Sequence, residues 1–135
     1  MREPDAGRID LTGVWDGLYT YPHISKSVAF VATLIETERA FTGSTHEPRV
    51  FRDGSGATLY ATIAGTRHSS AVTFRKTYEA AGPNYDIVDY AGTLSADGCE
   101  IAGRWTIRRA WSGTFLMIRS TGKAVAVSRK ATEKV

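Results

Sequence analysis

The sequence predicts an all-β fold: eight antiparallel strands in an up-and-down meander that closes into a barrel. Three observations lead there. Apolar and polar residues alternate with the two-residue period of strands, and no stretch holds the helical period of about 3.6 residues. The alternating runs are separated by turn chemistry and not by helical crossovers, so consecutive strands are antiparallel neighbours. Finally, a large apolar residue, one spacer and a glycine recur at Leu11-Thr12-Gly13, Trp15-Asp16-Gly17, Phe41-Thr42-Gly43, Ile63-Ala64-Gly65, Tyr90-Ala91-Gly92, Ile101-Ala102-Gly103 and Trp111-Ser112-Gly113. Every unit but Leu11's lies in an alternating run, which puts the apolar residue and the glycine on one face, and glycine there lets a sheet coil tightly enough to close.

The strands fall near 12–20, 27–37, 39–47, 57–65, 69–79, 85–95, 99–107 and 111–120. In the first, Trp15, Gly17 and Tyr19 face inward and Val14 and Leu18 outward. The second turns Phe30, Ala32 and Leu34 in and Val31 and Ile35 out, and the third ends with Glu47 inward. In the fifth, Val72, Phe74, Lys76 and Tyr78 alternate with outward Thr73, Arg75, Thr77 and Glu79. The sixth points Val88, Tyr90, Gly92 and Leu94 inward, and the seventh Ile101, Gly103, Trp105 and Ile107. The eighth places Trp111, Gly113, Phe115, Met117 and Arg119 inside, leaving Leu116 and Ile118 outside.

Connections alternate between two classes. Those at Thr37-Glu38, Thr66-Arg67 and Ala96-Asp97 are tight, with Asp97-Gly98 the strongest hairpin signal. Those at 21–26, 48–56 and 80–84 are longer and contain Pro22, Pro48 and Pro83. Alternate loops of a meander emerge at opposite ends, so short turns close one end and longer loops rim the other. The seventh and eighth strands are the exception, joining briefly around Arg109.

The chain of 135 residues is read as a short N-terminal extension (1–10), one barrel domain (11–120) and a polar tail (121–135). Hydrophobic content of 42% and charged content of 23% are those of a soluble globular protein. The N-terminus has no secretory pattern, so a cytoplasmic address is expected. Cys99 is the lone cysteine, which excludes an internal disulfide and a cysteine-built metal site. The longest apolar run, 28–35, is too short for a membrane helix. A net charge of +3 raises the question of nucleic acid, but residues 1–99 carry nine Lys/Arg against twelve Asp/Glu, while 100–135 carry eight against two. That excess lies around Arg104, Arg108 and Arg109 and in the tail at Arg129, Lys130 and Lys134, without aromatic interleaving on one face, so no nucleic-acid role is expected.

Gly13-Val14-Trp15 opening the first strand, with Arg119 closing the eighth, resembles the signature of the lipocalin, fatty-acid-binding and avidin group of barrels, the calycin-like proteins. The resemblance implies an arginine lying across the indole and sealing one end. Closure agrees with this, because it makes the first and last strands antiparallel neighbours, so Trp15 and Arg119 meet at the short-turn end as cation and ring. The rhythm is most similar to that of avidin-like proteins, through Leu11-Thr12-Gly13-Val14-Trp15, Phe41-Thr42-Gly43, Val72-Thr73-Phe74-Arg75-Lys76, Tyr90-Ala91-Gly92 and Trp105. The biotin contacts of that family have no counterparts: Gly17 and Tyr19 stand where a polar group is expected, Thr45 where a tyrosine is, and Phe74 where a tryptophan is. The resemblance therefore implies a barrel with a generic binding role and leaves the ligand open.

Odd strands end and even strands begin at the long-loop end, which gathers Tyr19, Phe30, Glu47, Lys76, Tyr78 and Trp111 near a mouth. With Phe74, Tyr90, Trp105 and Phe115 they form the expected ligand-binding set, an aromatic wall with a few fixed charges. Lys76 is the sharpest member. An inward ammonium needs a partner: either a ligand carboxylate or phosphate, or Glu47 or Asp86 as a structural pair. Inward glycines favour free volume, whereas a barrel of this size can also be filled by its own side chains.

No catalytic constellation is visible. His23, His46 and His68 lack metal-ligand spacing, Ser112-Gly113 is no nucleophile elbow, and Asp86 and Asp89 fall on opposite faces of one strand. No cofactor or metal is expected. The outer wall offers a different class of function, since Val14, Leu18, Val31, Ile35, Leu116 and Ile118 form an apolar patch once the barrel closes, expected to make a homodimer. Ala124-Val125-Ala126-Val127 is a second candidate to cover it. The expected function is binding of a hydrophobic or amphipathic small molecule in the barrel; the alternative is a protein-binding or inhibitor module acting through the outer wall or loops.

Overall fold

The computed structural model describes residues 10–22, 24–50, 56–79, 87–107 and 111–120. Eight strands follow one another: β1 (Gly13–Tyr21), β2 (Ile24–Thr37), β3 (Ala40–Val50), β4 (Gly56–His68), β5 (Ala71–Tyr78), β6 (Val88–Leu94), β7 (Glu100–Ile107) and β8 (Trp111–Arg119). Each pairs antiparallel with the next, and β8 pairs with β1, so the sheet closes into a barrel. The fold is all-β, as the alternation requires. In β5, Val72, Phe74 and Lys76 are buried between exposed Ala71, Thr73, Arg75 and Thr77.

Two connections differ from the sequence reading. Thr66 and Arg67 form no turn; they pair with Thr73 and Val72, and the chain reverses at Ser69-Ser70, where Ser69 takes a φ of 60°. A short polar side chain tolerates that left-handed backbone, and without a glycine the turn carries little signal. Pro48 lies in a strand and not in a loop, opposite Thr58, because the β3–β4 ladder runs on to Val50 and Gly56. The β2–β3 pairing extends only to His46, so β3 has a free side at Pro48 where a missing N–H costs nothing. Of the other two short turns at the end where Ser69 lies, one has Glu38 at a φ of 59° and the other Gly98 at 74°. There the Asp97 carboxylate accepts from the Ser95 hydroxyl (2.6 Å) and the Cys99 N–H (3.0 Å).

The short-turn end is sealed by Trp15 and Leu11, both without solvent exposure. Trp15 Nε1 donates to the Leu11 carbonyl at 2.9 Å, and the Arg119 guanidinium lies 4.4 Å from the centre of the indole. Arg119 also donates to the carbonyls of Asp10 (2.6 Å), Thr12 (3.1 Å) and Gly98 (3.1 and 3.2 Å). Gly13, at a φ of 139°, admits this, since a Cβ there would stand 3.3 Å from Arg119 Nη1. Beside it, Glu36 accepts from Arg67 (2.7 and 3.0 Å) and from the Leu11 N–H (2.9 Å).

The inward glycines do not leave open room. The Phe30 ring packs on Gly17, a Cβ on Gly113 would stand 2.6 Å from the Trp105 indole, and one on Gly92 would stand 2.9 Å from Phe115 Cζ. The missing side chains make seats for rings, which is how so many aromatics fit one narrow barrel.

Candidate ligand site

Alternation along three non-adjacent strands aims four polar side chains at one point in the barrel. β1 contributes Tyr19, two residues past the Gly17 seat; β3 contributes Glu47; β5 contributes Lys76 and Tyr78. The Glu47 carboxylate accepts from the Tyr19 hydroxyl (2.6 Å), the Tyr78 hydroxyl (2.9 Å) and the Lys76 ammonium (3.3 Å). Lys76 is 1% exposed and Glu47 3%. The charges cancel across one contact, which is the arrangement that makes a buried ion pair tolerable.

The ammonium also sits in an aromatic cage. Lys76 Nζ is 4.8 Å from the ring centre of Tyr19, 4.9 Å from that of Tyr78, 5.2 Å from that of Phe30 and 5.3 Å from that of Tyr90. Each is within range of a cation–ring attraction. Burial lowers the proton affinity of Lys76, with Glu47 acting in the opposite sense. Burial raises the phenol pKa values of Tyr19, Tyr78 and Tyr90, and the neighbouring Glu47 charge adds to the rise, so these hydroxyls stay protonated and remain donors.

On the short-turn side of this cluster the barrel is packed with rings. Phe74 and Tyr90 stack with centres 4.5 Å apart, Phe115 meets both edge-on, and Phe41 meets Phe74 at 6.0 Å. Trp105 donates to the Thr20 carbonyl at 2.9 Å and packs edge-on against Tyr19 and Tyr21.

Nine of the ten residues singled out as cavity or mouth, Tyr19, Phe30, Glu47, Phe74, Lys76, Tyr78, Tyr90, Trp105 and Phe115, lie inside the barrel. Trp111 does not. It is 58% exposed at the first position of β8, opposite Ile107 at the end of the β7 ladder. Two interior residues were passed over. Tyr21 shares the parity of Tyr19 and joins its ring cluster. Thr45 shares the parity of Glu47 and is 2% exposed, and its hydroxyl has no hydrogen-bond partner among the described residues.

On the outer wall Val14 and Ile35 are 44% and 59% exposed, while Leu18, Val31 and Leu116 are half-buried. Ile118, expected to be exposed on that wall, is buried at 6%; its register partners Asp16 and Glu100 are themselves half-buried. A shallow groove of about 590 Å³ crosses the outside of β4–β7, where the exposed Arg75–Asp89 pair (2.9 Å) stands beside Ala64, Ala91 and Arg104. No group of His, Cys, Asp and Glu among the described residues could hold a metal, and no helix among them is long and apolar enough to cross a membrane. Asp86, His23, Arg108, Arg109 and the tail residues Ala124 to Val127 lie outside the described residues. No family model, curated protein or solved structure matches the chain.

Proposed function

We propose that this chain is a calycin-like barrel that binds a small amphipathic molecule at the mouth side of its interior, with Lys76 as the polar anchor. One observation carries the reading: the Lys76 ammonium has three N–H donors and, among the described residues, a single hydrogen-bond acceptor, Glu47, in a buried site. The rings that surround the nitrogen are weaker acceptors than oxygen. The Thr45 hydroxyl, two residues from Glu47 on the same strand face and without a hydrogen-bond partner among the described residues, adds a second polar group.

The head group that fits is an oxygen acceptor. Because Glu47 already cancels the lysine charge, a neutral carbonyl oxygen is accommodated more readily than a full anion, which would meet the carboxylate as well. The body that suits this lining is apolar, since the rings of Tyr19, Phe30 and Tyr78 surround the ammonium and Tyr21 packs on Tyr19.

Native mass spectrometry of the chain purified from cells tests this. The wild type is expected to retain a small noncovalent adduct that Lys76→Met, with its similar length and no charge, loses. Bare wild-type mass, together with no heat of binding for any of a panel of aliphatic and aromatic carbonyl compounds, would overturn it.

A further inference from the structure

We infer that Lys76 is a nucleophilic amine placed to capture an aldehyde or unhindered ketone as a Schiff base, with Glu47 moving the protons. This rests on the reading of the barrel interior as a ligand site and names the chemistry of its ligand.

The geometry supplies what such a step needs. The amine is buried among rings, with a carboxylate 3.3 Å from its nitrogen as proton acceptor. The Tyr19 and Tyr78 hydroxyls hold that carboxylate from the other side, so it is oriented before any ligand arrives. Burial opposes the carboxylate and prevails over it, which favours release of the proton relative to a lysine in water.

In the step, Lys76 passes a proton to Glu47 and its freed electron pair attacks the carbonyl carbon, forming the C–N bond while the C=O π pair moves to oxygen. The oxygen takes a proton from the new ammonium centre, giving a carbinolamine. Glu47 then returns its proton to that hydroxyl, the C–O bond breaks, and water leaves as the nitrogen pair closes the C=N bond. The sum is an ammonium and a carbonyl giving a protonated imine and one water, with no oxidant or reductant. The product keeps a positive charge at the same point, so Glu47 and the four rings serve the imine as they serve the ammonium. A product that lost the charge, such as an amide, would leave the Glu47 charge buried with the two phenol hydroxyls but no cation to balance it. Selectivity follows from the walls: the rings around Lys76 favour an aromatic or linear apolar aldehyde over a polyhydroxylated one.

The test uses the full chain at neutral pH with benzaldehyde and with octanal, each with cyanoborohydride to fix any imine as a stable amine, followed by intact-mass measurement and peptide mapping. One reduced adduct per chain is expected, on Lys76. Lys76→Arg, which keeps the charge and removes the nucleophile, is expected to lose it. Glu47→Asp, with native circular dichroism, is expected to slow capture by about a hundredfold, in keeping with loss of a placed proton carrier. Adducts only on other lysines, or none, would overturn the inference, and so would capture on Lys76 at the wild-type rate in folded Glu47→Asp. Calorimetry with benzyl alcohol and octanol separates the two readings. If the alcohols bind while Lys76 stays unmodified, the ligand site stands and covalent capture fails. If neither alcohol nor aldehyde engages the chain, both fail.

Discussion

Lys76 and Glu47, on strands that do not touch, meet inside the barrel at 3.3 Å with hardly any water reaching either. Their contact spans the lumen and, with the hydroxyl of Tyr78 donating to the same carboxylate, ties β5 to β3. Removing one partner leaves the other buried and unpaired, a loss of about 3–5 kcal/mol. Glu47→Gln is therefore expected to lower the urea midpoint sharply, and the double variant Glu47→Gln, Lys76→Met to recover much of the loss. A double-mutant cycle by equilibrium unfolding measures the coupling, and additive effects would show that the pair is independent of its charges.

Alkaline pH acts through the phenols. Tyr19, Tyr78 and Tyr90 have folded pKa values raised above the ordinary value of 10.0. Above that value the unfolded chain releases protons that the folded chain keeps, so stability falls with rising pH, by about 1.4 kcal/mol per pH unit for each phenol. Lys76 acts in the opposite direction at lower pH. Its folded pKa is depressed, so its contribution improves from the folded value up to the ordinary 10.5. Ultraviolet titration is expected to show these three tyrosines ionising only as the circular dichroism is lost; reversible ionisation of all six tyrosines in the native state would contradict it.

Arg119→Ala removes the cation over Trp15 and the bonds to three carbonyls. A loss of about 2–3 kcal/mol is expected. Arg119→Lys is expected to restore little, since one ammonium cannot both stack on the indole and reach three carbonyls. Chemical denaturation followed by tryptophan fluorescence and circular dichroism reads both.

Gly17→Ala drives a methyl group into the Phe30 ring. A loss of about 1–3 kcal/mol is expected, and the second-site change Phe30→Leu is expected to relieve part of it. Thermal unfolding of the single and double variants decides; an unchanged midpoint for Gly17→Ala would mean that the ring is not seated there.

The fold was legible because each strand states its own period and each inward position can be read alone. Ser69 and Pro48 were misread for local reasons: the first makes a left-handed turn without glycine, and the second sits on a strand edge that exists only because the neighbouring ladder stops early. The polar cluster is less accessible to sequence. Alternation puts Tyr19, Glu47 and Lys76 inside one strand at a time, but their meeting depends on the stagger of the closed barrel. The seats for rings are harder still, because an inward glycine reads equally well as space. Only the partner ring, Phe30 for Gly17 and Trp105 for Gly113, decides which it is.

Closure through β1 and β8 also sets how this chain must fold. Every other ladder joins neighbours in sequence, whereas Asp16 and Ser120, bonded at 2.7 Å, are 104 residues apart. The meander is a set of local hairpins, and the final seam is the long-range step, with the loop-closure entropy concentrated in it. A circular permutant that links the ends and opens the chain at Ser69-Ser70 would convert that seam into a hairpin and move the slow step to β4 and β5. The same native barrel would then be reached along a different route.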